Sequence, residues 1–486
     1  MSPTGRARLG QSGAMVREKS VLKRFTWVVM GLMLWSSAAL AAPAPPPQVL
    51  GTREKLPNQL VWLFSRQAEL PLVTLELLIR AGMLEDPPGK AGLANLTASL
   101  LVNGTKSRTS AKIAEELDFM GARLSASGGD DFATVSLKVL KKDLGPALAL
   151  LQDILLHPTF PPAEVKRKVS QFKAALVSEQ DDPMVVASRA FVRHLYGAFP
   201  YGHPVIGTQK GLSAITRKDL VEFHRKYYRP NNAVLSVVGD LTPDEARRWV
   251  SQTFGHWAAG PIETPKLPAI PSLMQRQVVE IDKDISQANI ILGNLGIARK
   301  NPDFYAFQVM NYILGGGGFA SRLMDDIREN RGLAYSVYSS FAPGLKPGPF
   351  IVALETRNAT AGEAVSQVVE QLRRIKTQPV TPEELKDAKS YLIGSFPRKM
   401  DSMSKRAWLL GYVEVYGLGL DYPWRYPEFI QHLSPADIQK VADNYIQPKN
   451  YLLVVVGKKS AMTSLPGTLP SQKKEEKKEE KKHEKK

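Results

Sequence analysis

One stretch of this chain occurs twice. Thr216–Gly239 reads TRKDLVEFHRKYYRPNNAVLSVVG and Ser434–Gly457 reads SPADIQKVADNYIQPKNYLLVVVG. Slid by 218 positions the two align without a gap, with eight identities in 24 places: Asp219/Asp437, Tyr227/Tyr445, Pro230/Pro448, Asn232/Asn450, Leu235/Leu453, Val237/Val455, Val238/Val456 and Gly239/Gly457. Each copy runs from a polar helix through a Pro turn into a β-rich run, so it carries a supersecondary unit and not a lone motif. Pro162-Ala163-Glu164-Val165-Lys166 and Pro382-Glu383-Glu384-Leu385-Lys386, each opening a long polar helix, echo one another at nearly the same offset.

The repeat implies two similar halves, and the Pro-rich stretch from Gly260 to Pro271 is the natural place to divide them. The reading is an α+β chain of two homologous tandem domains, each a mixed or antiparallel sheet with helices on one face. Residues 50–259 form the first domain, 260–275 a linker and 276–460 the second. In the first, Gln59–Phe64 and Leu72–Ala81 alternate as strands, Ala91–Val102 and Ser110–Gly121 carry helical periodicity, and Ala122–Ser127 pairs with Phe132–Leu140 as a hairpin around Gly128-Gly129-Asp130-Asp131.

The flanks read differently. Arg17, Lys19, Lys23 and Arg24 precede an apolar run from Phe25 to Trp35, and Ala39-Leu40-Ala41 offers a small-residue cleavage pattern, so residues 1–41 read as an export signal, with Met15 an alternative start. The run is shorter than the roughly 20 apolar residues of a membrane span, so no stable span is expected after cleavage. Residues 42–49 are a Pro-rich leader, and 461–486 end in a solvated Lys/Glu tail. Export places the protein in the periplasm or outside the cell. The chain has no cysteine, which removes disulfides, thiol nucleophiles and cysteine-ligated metals together. Of the formal charge of +17, five units sit in residues 1–41 and three in the Lys/Glu run from Lys473. The remaining +9 is spread over some 430 residues without a basic stripe interleaved with aromatics, which argues against nucleic acid as a partner.

Several segments together resemble the insulinase/pitrilysin-like zinc peptidases, the inverzincins, including their mitochondrial-processing-peptidase branch. They are Gly89-Lys90-Ala91-Gly92-Leu93-Ala94 with Asn103-Gly104-Thr105; Phe199-Pro200-Tyr201-Gly202-His203-Pro204 with Gly207-Thr208; Arg229-Pro230-Asn231-Asn232; and Gly315–Gly318, Ser321-Arg322-Leu323, Ile327-Arg328-Glu329 and Arg331-Gly332-Leu333-Ala334-Tyr335-Ser336-Val337. The resemblance spans Gln48–Gly457. Catalysis in that family implies a His-x-x-Glu-His segment, two imidazoles holding zinc and a carboxylate acting as general base. Here the corresponding residues are Asn95, Ala98 and Ser99, and the place of a further carboxylate ligand falls on Ala174 or Ala175. An amide, a hydroxyl and methyl groups are not zinc donors, so no metal is expected on this chain. The seven histidines offer no substitute, since no two lie within five residues of each other. There is no Gly-x-Ser-x-Gly elbow, and Gly315–Gly318 lacks the Lys-Ser/Thr of a phosphate loop.

What the resemblance retains is an Arg and a Tyr seven residues apart, Arg328 and Tyr335, which in the family donate hydrogen bonds to substrate peptide oxygen. Bacterial relatives often divide the two sets of groups between two chains. The expectation is therefore a non-catalytic, exported subunit that supplies Arg328, Tyr335 and half of a peptide chamber, while a homologous partner bears the zinc. The alternative is an inactive peptide-binding or assembly scaffold that uses exposed strand edges and has no peptidase partner. An independently active zinc peptidase would need ligands the chain does not offer.

Overall fold

The computed structural model describes residues 48–462 and 465–466. The expected signal and nearly all of the leader and tail lie outside the described residues. Two sheets organise the rest. The first contains β1 (Thr52–Lys55), β2 (Val61–Arg66), β3 (Leu72–Ile79), β4 (Arg123–Gly128), β5 (Ala133–Leu140) and β6 (Ala233–Gly239), in the order β1-β2-β6-β3-β5-β4. The second contains β7 (Gln277–Asp282), β8 (Gln287–Leu295), β9 (Ala334–Phe341), β10 (Pro349–Arg357) and β11 (Leu452–Gly457), in the order β7-β11-β8-β10-β9. With β1 set aside, the orders coincide strand for strand. Each sheet has one parallel pair, β2/β6 and β7/β11, and is otherwise antiparallel.

The repeated segments build the centre of each sheet. Both copies open with a capping box. Thr216 Oγ1 accepts from the Asp219 N–H at 3.3 Å while the Asp219 carboxylate accepts from the Thr216 N–H at 2.8 Å; Ser434 and Asp437 do the same at 3.3 and 2.7 Å. These caps start the helices Arg217–Tyr227 and Pro435–Tyr445, which lead into β6 and β11. The shared glycine at the strand ends has a steric cause. A Cβ on Gly239 would sit 2.4 Å from the Leu72 carbonyl, and one on Gly457 would sit 2.6 Å from Asn358 Oδ1.

One face of each sheet is covered by helices of its own half. In the first, Val73, Leu75, Leu77 and Ile79 of β3 point into a core shared with the helices Leu93–Leu100, Leu144–Leu156 and Arg217–Tyr227. The opposite face is covered by a helix from the other half. Pro183–Tyr196 packs on β8 and β11 of the second sheet, and Met403–Val415 packs on β3 and β6 of the first. Each follows the long polar helix of its half, Pro162–Ser178 or Pro382–Ser395, so the exchange is reciprocal and obeys the repeat. Close approach of Met403–Val415 depends on Gly411, where a Cβ would lie 2.7 Å from Leu78 Cδ1.

The face beneath Met403–Val415 is partly polar. Thr74, Glu76 and Ser236 are buried there, and Glu76 accepts from Ser136 Oγ at 2.6 Å. Burial pushes the Glu76 carboxyl up to about 7, against the lowering effect of that bond. The halves also meet at Asp131, on the turn between β4 and β5. Its buried carboxylate accepts from the hydroxyl of Tyr201 in the first half, and from the Leu345 N–H at 2.8 Å and the Tyr416 hydroxyl at 3.2 Å in the second. Tyr196 crosses the same junction, donating to the Pro347 carbonyl at 2.9 Å.

Two outcomes follow from these contacts. Asp131→Ala leaves three donors without their acceptor and should lower stability by about 3 kcal/mol in urea unfolding, more than a surface Asp→Ala change. Glu76 stays protonated in the folded chain up to about pH 7 but ionises near 4.5 when unfolded, so its contribution is fully present below 4.5 and is lost as pH rises through 7. Glu76→Gln should therefore gain stability over the native chain at about pH 8, by up to roughly 3 kcal/mol, with the gain vanishing towards pH 4.

Candidate functional site

Asn95, Ala98 and Ser99 lie on the helix Leu93–Leu100, which begins after a left-handed Gly92 at φ 99°. Asp86 fixes this start by accepting from the N–H groups of Gly92 and Ala94 at 2.7 Å each. Gly92 in turn touches Gly207 backbone to backbone, since a Cβ on either would fall within 3 Å of the other's Cα. Two of the glycine-bearing segments picked out in the sequence thus meet as a packing contact that sets the helix in place.

The helix Pro162–Ser178, which carries Ala174 and Ala175, packs against Leu93–Leu100. The structure therefore brings together the two helices that would frame a metal, with other chemistry on them. Asn95 Oδ1 accepts from the Gly128 N–H of β4 at 2.9 Å and from Ser99 Oγ at 3.3 Å. Ala98 is fully buried, Ala174 is exposed and Ala175 half-buried. The i and i+4 positions are bonded to each other and to a strand, through an amide oxygen whose acceptor capacity is committed. These residues do not fit a zinc ion, which takes thiolate, imidazole or carboxylate donors. Among the described residues no three His, Asp or Glu side chains gather as a metal-holding group. His203 lies 3.7 Å from Asp86 at its nearest, and burial lowers its pKa.

The second half places Arg328 and Tyr335 side by side. Arg328 sits on a wide helical turn, Met324–Asn330, closed by Gly332 in the left-handed region at φ 60°. The Gly332 N–H returns to the Arg328 carbonyl at 3.0 Å and the Leu333 N–H to that of Ile327 at 2.9 Å. Thr356 Oγ1 then holds the Leu333 carbonyl at 2.6 Å, and β9 begins at Ala334. This reversal folds the chain so that the Arg328 guanidinium lies 5.4 Å from the centre of the Tyr335 ring.

Phe319, which the sequence reading did not single out, flanks the guanidinium from another side at 4.8 Å. Its only signal was position, directly after the Gly315–Gly318 run. That run is no phosphate loop: Gly315 lets the chain touch β9, since a Cβ there would lie 2.4 Å from the Ser339 nitrogen. Phe319 is 70% exposed and Tyr335 77%, high for large aromatic side chains. The nearest carboxylate, Glu329, is 3.6 Å from Arg328 Nε, Nη1 is directed at Met324 Sδ at 4.0 Å, and the Arg328 side chain is 30% exposed. β9 is an edge strand of the second sheet. A cation and a phenol held between aromatic rings beside an open strand edge can donate to carbonyl oxygens of an extended peptide.

Residues 63–209 match the family model described as insulinase (peptidase family M16), and residues 214–392 match that of the peptidase M16 inactive domain. A crystal structure of a peptidase M16 inactive domain from Pseudomonas fluorescens is 30% identical, covering 85% of this chain and 100% of that one, with a TM-score of 0.79. The chain belongs to the M16 peptidase family. An uncharacterized zinc protease of Rickettsia bellii is 27% identical over 391 residues, 80% of this chain and 93% of that protein. A non-peptidase homolog, YmxG, of Helicobacter pylori is 26% identical over 394 residues, 80% of this chain and 90% of its own length. Relatives named as a zinc protease and as a non-peptidase homolog are thus similar to this chain to nearly the same degree.

The bond from Gly128 to Asn95 gives that position a structural role that can be measured. Asn95→Ala should cost about 1–2 kcal/mol in thermal or urea unfolding, because it leaves a partly buried N–H of β4 unpaired; Ser99→Ala, which removes only a donor to Asn95, should cost less.

Proposed function

We propose that this chain is the non-catalytic subunit of an exported M16 peptidase complex, supplying Arg328 and Tyr335, and half of a peptide chamber, to a homologous subunit that carries zinc. One observation carries the reading: a half-buried Arg328 beside an exposed Tyr335, built by a helix stop and a strand edge, on a chain whose metal position holds an amide committed to the fold. The inactive-domain match and the non-peptidase relative support it. Export rests on the apolar run and cleavage pattern of residues 1–41. No helix among the described residues is long and apolar enough to cross a membrane.

In the complex, a peptide laid along β9 would place a carbonyl oxygen within reach of the guanidinium and the phenol. As the carbonyl carbon is attacked its oxygen gains negative charge, and donors already in position stabilise that charge more than the neutral carbonyl. Arg328 and Tyr335 are thus donors at the developing oxyanion, and Phe319 restricts the guanidinium to the orientation that serves it. The activating metal and the water would come from the partner.

The test is reconstitution. The purified chain should hold no stoichiometric zinc by elemental analysis and hydrolyse no unfolded-protein or peptide substrate. Mixing it with the zinc-bearing homologue of the same organism should produce hydrolysis. Arg328→Ala should then lower kcat about a hundredfold and Tyr335→Phe about tenfold, with the complex still forming in size-exclusion chromatography. Unchanged rates in both variants would reject the assigned roles, and an assembled mixture without hydrolysis would favour a peptide-binding scaffold.

A further inference from the structure

A second feature of the C-terminal half is not explained by a peptide chamber. Between the helices Phe304–Asn311, Met403–Val415 and Tyr422–Gln431 and the turn Phe396–Lys399 lies a cavity of about 390 Å³. Its walls are aromatic, with Phe304, Phe396, Trp408, Tyr412, Tyr422 and Tyr426 among the lining residues. Its remaining charged lining residues are Arg398, Lys399 and Lys405, and no Asp or Glu lines it. The volume falls in the range of small-molecule sites, roughly 300–1,000 Å³.

Behind the wall sits Arg299, only 3% exposed. Its guanidinium stacks on Phe304 at 3.8 Å and donates to the hydroxyls of Tyr412 at 2.6 Å and Tyr422 at 2.9 Å. Among the described residues it makes no ion pair, and neither do Arg398 and Lys399; Lys405 alone pairs, with Asp401 at 2.9 Å. A buried guanidinium answered by phenols and aromatic ring faces, and by no carboxylate, keeps a positive charge in a medium that screens it poorly. The Tyr412 hydroxyl accepts from Arg299, lines the cavity and retains one O–H to donate. Lys399 Nζ stands 5.5 Å from the Phe396 ring, and its pKa is lowered by burial of the ammonium and then by the charge of Arg299. The cavity thus combines an apolar aromatic body with a cluster of donors and unpaired cations.

We propose that this cavity binds small carboxylates with an aromatic or apolar body, the ring packed among Phe396, Trp408 and Tyr426 and the carboxylate met by Lys399 and the Tyr412 hydroxyl. The same chemistry is offered by a free arylalkanoic acid and by the C-terminal residue of an apolar peptide. The proposal does not rest on the reading of Arg328 and Tyr335, whose residues are separate from this lining.

Isothermal titration calorimetry on the whole mature chain decides it, with 3-phenylpropanoate, N-acetyl-Ala-Phe and the neutral N-acetyl-Ala-Phe amide as probes. The expected result is one saturable site for the acids and at least about tenfold weaker binding of the amide. Tighter binding of the peptide acid assigns the site to peptide ends, and tighter binding of phenylpropanoate assigns it to free acids. Lys399→Gln and Trp408→Ala should each weaken binding about tenfold while the unbound protein keeps its melting temperature, because Trp408 is 46% exposed and Lys399 lies at the surface with only its ammonium end turned in over Phe396. Equal binding of acid and amide, no saturable heat with any probe, or unchanged affinity in both variants would overturn the proposal.

Discussion

The structure depends on a sheet having two faces, both of which must be covered when both are apolar or carry buried polar groups. Each half builds helices for one face only. The second face is supplied by exchange, Pro183–Tyr196 against β8 and β11, and Met403–Val415 against β3 and β6. Neither half is complete alone, because removing it would expose Leu78, Glu76 and Ser236 on one sheet or Ile291, Leu452 and Val454 on the other. The Asp131 junction locks this arrangement with hydrogen bonds whose acceptor belongs to one half and two of whose donors belong to the other.

This dependence lets an M16 chain keep its fold with Asn95, Ala98 and Ser99 on the helix Leu93–Leu100. Most of the family-like segments do structural work here. Gly92 and Gly207 are a backbone contact, Tyr201 reaches Asp131, and Asn232 donates to the carbonyls of Arg80 and Tyr227 at 2.8 and 2.9 Å. Arg322 makes a two-point bond to Glu384, which itself caps the helix Pro382–Ser395. Only the side chains at 95, 98, 99 and 174–175 would have to carry metal chemistry, and Asn95 has been taken into the hydrogen bonding of β4. Fold and catalysis rest on different residues, so one can persist without the other.

The two candidate sites use cations in opposite settings. At Arg328 the guanidinium is held between exposed rings beside an open edge strand, suited to a long extended partner. At Arg299 it is buried behind an aromatic wall, suited to a small one. Both lie in the second half. The aromatic cluster continues from Tyr412 to Tyr416, ring centres 4.7 Å apart, and Tyr416 donates to Asp131, so the cavity and the junction between halves share a wall.

Much of this was legible in the residues. The repeat revealed two related halves because a capping box, a Pro turn and a central strand are local patterns, and local patterns survive in sequence. The strands and helices read from periodicity in the first half fell within about two residues of their places, since period 2 and period 3.6 leave different traces, while β1 and the helices Leu144–Leu156, Pro183–Tyr196 and Pro243–Phe254 were not read. Arg328 and Tyr335 were singled out only through a family resemblance, and the fold is what sets the guanidinium 5.4 Å from the ring. Long-range packing was not legible. Nothing local marks Pro183–Tyr196 or Met403–Val415 as helices that leave their own half, because an apolar stripe states that a face will be buried and not against what. Phe319 entered the site only through the chain reversal around Gly332, and Arg299 met its phenols only when helices distant in sequence converged. Sequence determined which units form and which chemistry is available; the tertiary structure decided which surfaces meet, because burial is settled by partners that no single segment contains.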